Sequence, residues 1–559
     1  MGKRKRSKTK KPSKANRSKR EMGSSIYGME ELEFQAAPET RTFDGEGNNL
    51  QNPTWGKSNE PLRRFPTSPN YADGVSKLRK GPNPRKISNI VCVEDVPSEP
   101  HPHLSSFMWV WGQFLDHEID LSTESEDEPL DFNSPPDDPV VANATIKFHR
   151  SNAAPGTGAS GVAREQVNVL AAYVDGANVY GASLQRALAL RTLDGTGRLK
   201  VSSGKHGDLL PFNTAGIANA QGPLRNRDRP DRFFLAGDVR CNEHNVLTCM
   251  HTLFVREHNR FCDEIADRPS ASLRREIKAI GQDEAIFQRA RRHVVAIEQV
   301  ITYEEFLPEL LGKKWIKPYM TRGKGSYDEK ADATIANVFS TAAYRLGHDM
   351  LNSRIPLASL WDDRVKSLSL DQAFWKPERV KKLGIDVFLA GIAQTNMEQL
   401  NCQTTEAVRS NLFNVHPKMP RMLLDLAALN IQRGRDHGLP DYNSCRQAYG
   451  LKKVKRFEDI TKNEERARRL KEAYKNVNEI DLWIGGLCED PYRDAIVGRM
   501  FFEILSDQFT RMRNGDRFWY EIEPGLSKAE VRKLKKTKLS DVIKRNTLID
   551  KLQENVFRT

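Results

Sequence analysis

Residues 108–121 read MWVWGQFLDHEIDL, an aromatic stretch that turns acidic and carries an amide, a carboxylate and an imidazole near its middle. On a helix Gln113 and His117 are four apart and share a face, with Asp116 three from Gln113 at its edge. Polar side chains set into a core-type segment need partners, because a buried polar group left unpaired is costly. Three of them facing one way make sense around something polar: a cofactor, a metal or a substrate.

Three further stretches concentrate reactive side chains. Residues 237–244 (GDVRCNEH) place Arg240 and Glu243 three apart, just before a helical run at 247–262; alone, that is the spacing of an ordinary surface ion pair, worth little. Residues 341–348 (TAAYRLGH) end a small, apolar run in His348. A single histidine there is commonly a core residue, but Gly347 beside it would let a flat cofactor approach the backbone. Residues 428–440 gather Arg433, Arg435, Asp436 and His437 behind an apolar lead-in, the pattern of a buried ionic network or an anion site.

The elements that must position these groups are mostly helical. Of 559 residues, 38% are hydrophobic and 8% aromatic, ample for a large core, yet no apolar run is long enough to cross a bilayer. The net charge of +13 is uneven: residues 1–20 hold eleven Lys or Arg and no acid, and subtracting these leaves +2 for the rest. So charged a segment cannot offset chain entropy by burial, so residues 1–25 read as a disordered basic tail. With no apolar segment behind its charges it is not a secretory signal; it is either a solubilising leader or a patch for anionic surfaces. The compartment stays open between the cytoplasm and unconventional export.

Residues 26–104, rich in Gly, Pro, Asn and Ser, read as an irregular arm wrapping a helical body over 105–559. Helical periodicity is clear at 284–306, 331–352 and 464–477, strand patterns are few and short, and 122–166 reads as an acidic loop. The expectation is a mainly α fold with one large domain over 26–559. The seven cysteines are scattered without a C-x-x-C pair, which supports neither a zinc module nor a thiol redox motif.

From about residue 40 onward these motifs closely resemble the animal-type haem peroxidase family, which spans myeloperoxidase, peroxidasin and the cyclooxygenase branch. The likeness rests on Trp111-Gly112-Gln113 with Asp116-His117, and on Ala236-Gly237-Asp238 with Arg240 and Glu243. It continues through Arg256-Glu257-His258-Asn259-Arg260, Tyr344-Arg345 with Gly347-His348, Asn430 with Arg433 and Arg435-Asp436-His437, and Gly515-Asp516-Arg517-Phe518-Trp519. The resemblance implies that haem b is held by His348 as axial iron ligand, with Asn430 accepting a hydrogen bond from its other ring nitrogen. It implies that Arg345 and Arg433 pair the haem propionates and that Asp116 and Glu243 form ester links to haem methyl groups. His117 would act as base and then acid on hydrogen peroxide, Arg240 would stabilise charge building on the oxygens, and Gln113 would hold the distal water or halide. A ferryl haem would then oxidise bromide, iodide, thiocyanate or phenolic donors.

Departures from the family pattern carry expectations of their own. His244 stands where myeloperoxidase has a haem-linked Met, which argues against chloride as donor. Calcium takes six to eight oxygens; here Asp175 remains, but Glu118 replaces an Asp, and Ala171 and Ala177 stand where hydroxyls are expected. A weak or absent calcium site follows. Two other functions compete. In a fatty-acid dioxygenase of the same superfamily Tyr344 would carry a radical, although it stands four residues before His348 rather than three. In a non-enzymatic adhesion protein the basic tail would be the working part, and the joint presence of His117, Arg240 and His348 argues against that. His251, His258 and His437 read as structural.

Overall fold

The structure, a computed structural model, describes residues 39–65, 69–94, 99–140, 142–220, 230–314, 327–360, 366–410 and 424–559. The basic tail lies outside them, as does the tail boundary.

Within the arm, Asn83 starts a helix that the composition hides. Its side chain accepts the Lys86 N–H at 3.1 Å and Pro84 takes the first position of α1 (Pro84–Val91). Helix α2 (Phe107–Ile119) buries ten of its thirteen residues and leaves Gly112, Gln113 and Asp116 partly accessible. Trp111 packs on Phe114, Phe254 and Phe557 at 5.7–6.3 Å between ring centroids, and its indole N–H donates to Thr302 Oγ1 at 3.3 Å. These contacts fix the helix in rotation, and with it the three open positions.

The region expected to be an acidic loop contains strands. β1 (Glu124–Pro129) pairs antiparallel with β2 (His149–Ser151) across a register shift, and Phe132–Asn133 pairs with Thr145–Ile146. Glu124, Glu126 and Asp127 are exposed positions of a short ribbon, while Glu128 pairs with Arg164. Two more antiparallel pairs, Glu60–Pro61 with Val167–Asn168 and Arg354–Pro356 with Ser367–Ser369, complete the strands found among the described residues.

The rest is helical. α3 (Asn245–Asp267) lies against α2, with Phe114 stacked on Phe254 at 5.2 Å. α4 (Gln282–Val300) does not stop at its end: a π-helical turn, Ile301–Phe306, widens it before Leu307–Leu311 resumes the α form. Such turns re-aim side chains and gather at functional sites; this one supplies Thr302 to Trp111 and Phe306 to the central cavity.

The helix expected over 331–352 is shorter and broken. Asn337–Thr341 is α-helical, Ala342 turns the chain, and Ala343–Asp349 is a 3-10 helix. In that tighter winding residues three apart eclipse one another, which puts Arg345 and His348 side by side. α5 (Leu426–Asp436) lies next to this segment. Its capping residue Asp425 is bound by the fully buried Arg85 of α1 at 2.8 Å, and Arg85 also holds Asp138. α6 (Arg499–Asn514) packs behind the 3-10 helix.

Candidate active site

His117 Nδ1 lies 2.9 Å from Asp238 Oδ2. A carboxylate accepts, so the ring carries its proton on Nδ1 and turns the lone pair of Nε2 outward. Asp238 also takes the Arg240 Nε–H at 3.0 Å and the Arg240 backbone N–H at 3.1 Å. Burial alone would raise the pKa of Asp238, but Arg240 and His117 outweigh it and hold the carboxyl far below the usual range. One buried anion therefore aligns both a base and a cation. A terminal nitrogen of Arg240 donates to the His117 carbonyl at 3.2 Å, and among the described residues no hydrogen bond occupies the other.

His244 settles the orientation of Gln113. Its Nδ1 accepts the Leu247 N–H at 3.2 Å as cap of α3, so Nε2 holds the proton and donates to Gln113 Oε1 at 2.6 Å. Burial pushes the His244 pKa down to about 3, which keeps the ring neutral. With its oxygen taken, Gln113 presents an NH₂ group, one hydrogen of which goes to Glu243 Oε1 at 3.3 Å. Glu243 Oε2 lies 3.8 Å from His117 Nε2. Burial, with Asp120 nearby, pushes the Asp116 carboxyl well above the usual carboxylate range.

On the other side of the site, His348 Nδ1 lies 2.7 Å from the Asn430 amide nitrogen, and Asn430 Oδ1 accepts from Arg345 at 3.1 Å. The expectation had the amide oxygen facing the ring; in this arrangement Arg345 claims it, and a half-turn of the amide exchanges the two. Burial, with the Arg345 cation adjacent, lowers the His348 pKa to about 3, leaving the neutral imidazole that ligates metals. Arg433 is spent elsewhere. It donates to His149 O and Ser151 Oγ at 2.9 Å each, and pairs with Asp436 and with Glu124 of β1. Glu124 is the exposed member of that set, so it is the partner most cheaply exchanged for another carboxylate. His437 sits in a buried network with Asn337, Thr341 and Ser151.

Gln113, Asp116, His117, Arg240, Glu243, Arg345 and His348 all line one cavity of about 370 Å³; Asn430 and Arg433 stand behind its wall. A haem asks for a neutral imidazole, an apolar slot, cations for its carboxylates and open backbone, and the lining offers them. Phe306, Leu346, Met350 and Leu351 are apolar wall, Arg345 is the cation, and a Cβ added at Gly347 would meet nothing within 4 Å. The donor set fits the group.

Calcium is different. Glu118 Oε1 takes the Gly176 N–H at 2.6 Å and Oε2 the Asn178 amide at 3.4 Å, so the side chain ties the 175–178 loop to α2 directly. Burial pushes Asp175 up to about 6, and its Oδ1 accepts from the Ala177 N–H at 3.0 Å. Burial also raises the pKa of Glu298, whose two carboxyl oxygens have no partner among the described residues. No cluster of three or more metal-binding side chains occurs among the described residues. Glu118 and Asp175 thus each spend a carboxylate oxygen on a backbone N–H of the loop, where a calcium cage would turn it to the cation.

The profile of the animal haem peroxidase family matches residues 40–557, so the chain belongs to that family. It is 35% identical to a peroxidasin homolog, pxn-2, of Caenorhabditis elegans over 92% of this chain, which spans 42% of that protein's length. Among solved structures, peroxidase A of Dictyostelium discoideum shares 32% identity at a TM-score of 0.82, covering 94% of this chain and all of that one. A fatty acid α-dioxygenase of Arabidopsis thaliana superposes at a TM-score of 0.76 with 21% identity over 93% of this chain and 83% of its own, a likeness of fold.

Two residues acquire roles that sequence reasoning did not give them. Asp238 was part of a recognised motif without a function; the signal was an acid two places before a cation of interest. The sequence signal for His244 is its place directly before a helical run, where a histidine is a candidate cap.

Proposed function

We propose that the protein reduces hydrogen peroxide with a bound haem and oxidises small anions or phenols. The observation that carries the reading is the Asp238 fork, which holds His117 as an Nδ1–H tautomer and Arg240 beside it in the cavity that His348 also lines. When bound, haem would supply the redox chemistry that carries oxidising equivalents from peroxide to a donor. His117 Nε2 takes the proton from the near peroxide oxygen and returns it to the departing one. Arg240 offers its remaining N–H groups to the charge that develops between those oxygens. Gln113, its oxygen held by His244, presents N–H to a water or an anionic donor.

His348 would hold the iron, steadied by Asn430, and Arg345 would bind a haem carboxylate. Arg433 would bind the other by releasing Glu124. Asp116 and Glu243, both at the cavity wall, would make the ester links. With His244 engaged as an orienting residue, bromide, iodide, thiocyanate and phenols are the donors, and chloride is not.

Haem-loaded protein assayed side by side on iodide, bromide, thiocyanate, chloride and a phenol tests the reading. His348→Ala should lose haem and Arg240→Ala should keep haem while peroxide reacts slowly; full activity in either variant sinks the assignment. The dioxygenase reading draws on one observation, that Tyr344 lines the cavity with its hydroxyl unpartnered among the described residues. Oxygen uptake with linoleate in the absence of peroxide would establish it instead.

A further inference from the structure

Tyr344 begins a line of aromatic rings that leads away from the cavity. Its ring stacks on Phe339 at 4.7 Å and meets Phe509 edge-on at 5.5 Å. Phe509 meets Tyr303 of the π-turn at 6.1 Å, and Tyr303 meets Trp519 at 4.9 Å. These are ordinary contact geometries for packed rings, but here they join end to end. The line finishes one hydrogen bond below the surface: the Trp519 indole N–H donates to Glu521 Oε2 at 3.2 Å, and Glu521 pairs with the half-exposed Lys535 at 2.9 Å.

Proton acceptors decide where along this line an oxidising equivalent can rest. A phenol or indole that loses an electron becomes strongly acidic and is stabilised by giving up its proton. The Tyr344 hydroxyl has no partner among the described residues, and Tyr303 donates to the Phe509 backbone carbonyl, which cannot take a proton. Trp519 alone among these three faces a carboxylate. Arg513 lies over the indole at 5.4 Å and makes a charged indole costly, which ties electron loss to proton loss.

Resting on the peroxidase reading above, we propose that Trp519 is a second oxidation site, which serves phenolic donors too large to enter the cavity. One electron leaves the indole through the rings of Tyr303, Phe509 and Tyr344 and reduces the peroxide-oxidised cofactor by one equivalent. The indole N–H bond breaks, its proton passes to the Glu521 carboxylate, and a neutral tryptophanyl radical remains. A phenol at the Glu521–Lys535 surface then gives one electron to the indole, the proton returns from Glu521 to the indole nitrogen, and the phenol loses its own proton to water. The products are a phenoxyl radical and restored Trp519.

The test uses full-length haem-loaded protein with ring-deuterated tryptophan, mixed with one equivalent of peroxide and frozen for electron paramagnetic resonance. A tryptophanyl spectrum that narrows on deuteration is expected, and it should vanish in Trp519→Phe, which keeps an aromatic ring in place. In the same variant, oxidation of a phenol grafted onto dextran should fall by about tenfold or more while iodide oxidation is unchanged. Glu521→Gln, which leaves the indole in place, should also suppress the radical, which a purely structural role for Trp519 would not produce. Peptide mapping should find oxygenated Trp519 after repeated peroxide turnover without donor. Iodide oxidation with no tryptophanyl radical, or equal losses on iodide and on dextran-bound phenol in Trp519→Phe, overturns the proposal and leaves the peroxidase reading standing. Failure of the loaded protein to react with peroxide at all overturns both.

Discussion

Asp238 is the residue on which the most depends and the one whose chemistry is least visible in the chain. It neither touches the cavity nor reacts, yet its two oxygens fix the tautomer of His117 and the direction of Arg240. Asp238→Asn keeps the size but can offer only one acceptor oxygen, so either the ring proton or the guanidinium loses its guide. Groups that orient a working imidazole cost about 10- to 100-fold when removed. The expected outcome is a peroxide reaction slowed by that factor with haem retained, read by stopped-flow at the Soret band; an unchanged rate would remove Asp238 from the account. Asp116 and Glu243 permit a separate test. Acid-acetone extraction should leave haem on the wild-type protein, and Asp116→Asn and Glu243→Gln should each weaken that retention, with free release in the double variant. Complete release from the wild type would dispose of covalent attachment. Motif spacing made Gln113, Asp116 and His117 legible because a helix turns regular spacing into a shared face. Asp238 and His244 act through contacts between segments more than a hundred residues apart, which spacing along one segment does not encode.

At the scale of elements, local structure is legible in the sequence where one period runs through a segment and hidden where the winding changes. Apolar spacing located α2, α3 and α4 but not the π-turn after α4 or the 3-10 helix that carries His348, because both keep helical composition while altering which residues face together. The π-turn has a measurable consequence. It buries Glu305, whose Oε2 accepts the Leu539 N–H at 2.8 Å while Oε1 has no partner among the described residues. Burial pushes its pKa up to about 7, against the backbone hydrogen bond that favours the charged form. Between about 4.5 and 7 the folded state therefore keeps a proton that the unfolded chain releases, so stability from this group is present at low pH and lost as pH rises through that window. At about 1.4 kcal/mol per pH unit the loss is about 3 kcal/mol. Urea unfolding at pH 4.5 and pH 8 should show Glu305→Gln escaping most of that decline; parallel behaviour of the two proteins would refute it. The 175–178 loop supports a prediction of the opposite kind. Since Glu118 holds the loop by direct hydrogen bonds, chelation with EDTA should leave the unfolding midpoint unmoved and elemental analysis should find less than stoichiometric calcium. A midpoint that drops on chelation would mean that an oxygen cage forms after all.

Over the whole molecule, charge and catalysis separate along the chain. Residues 1–20 carry eleven cations against a body whose net charge is only +2, while every group proposed for chemistry lies beyond residue 112. Attraction of so dense a cationic run to a polyanion releases counterions, so its affinity must fall steeply with salt, and a nearly neutral body has no comparable term. Deleting residues 2–20 should therefore move elution from heparin to much lower salt and leave the peroxide response of the Soret band and iodide oxidation as they were. If retention is unchanged, the tail is a solubilising leader and whatever anionic surface the protein meets is met by the body. If retention and turnover fall together, tail and catalytic body are not independent, and the division read from the charge distribution is wrong.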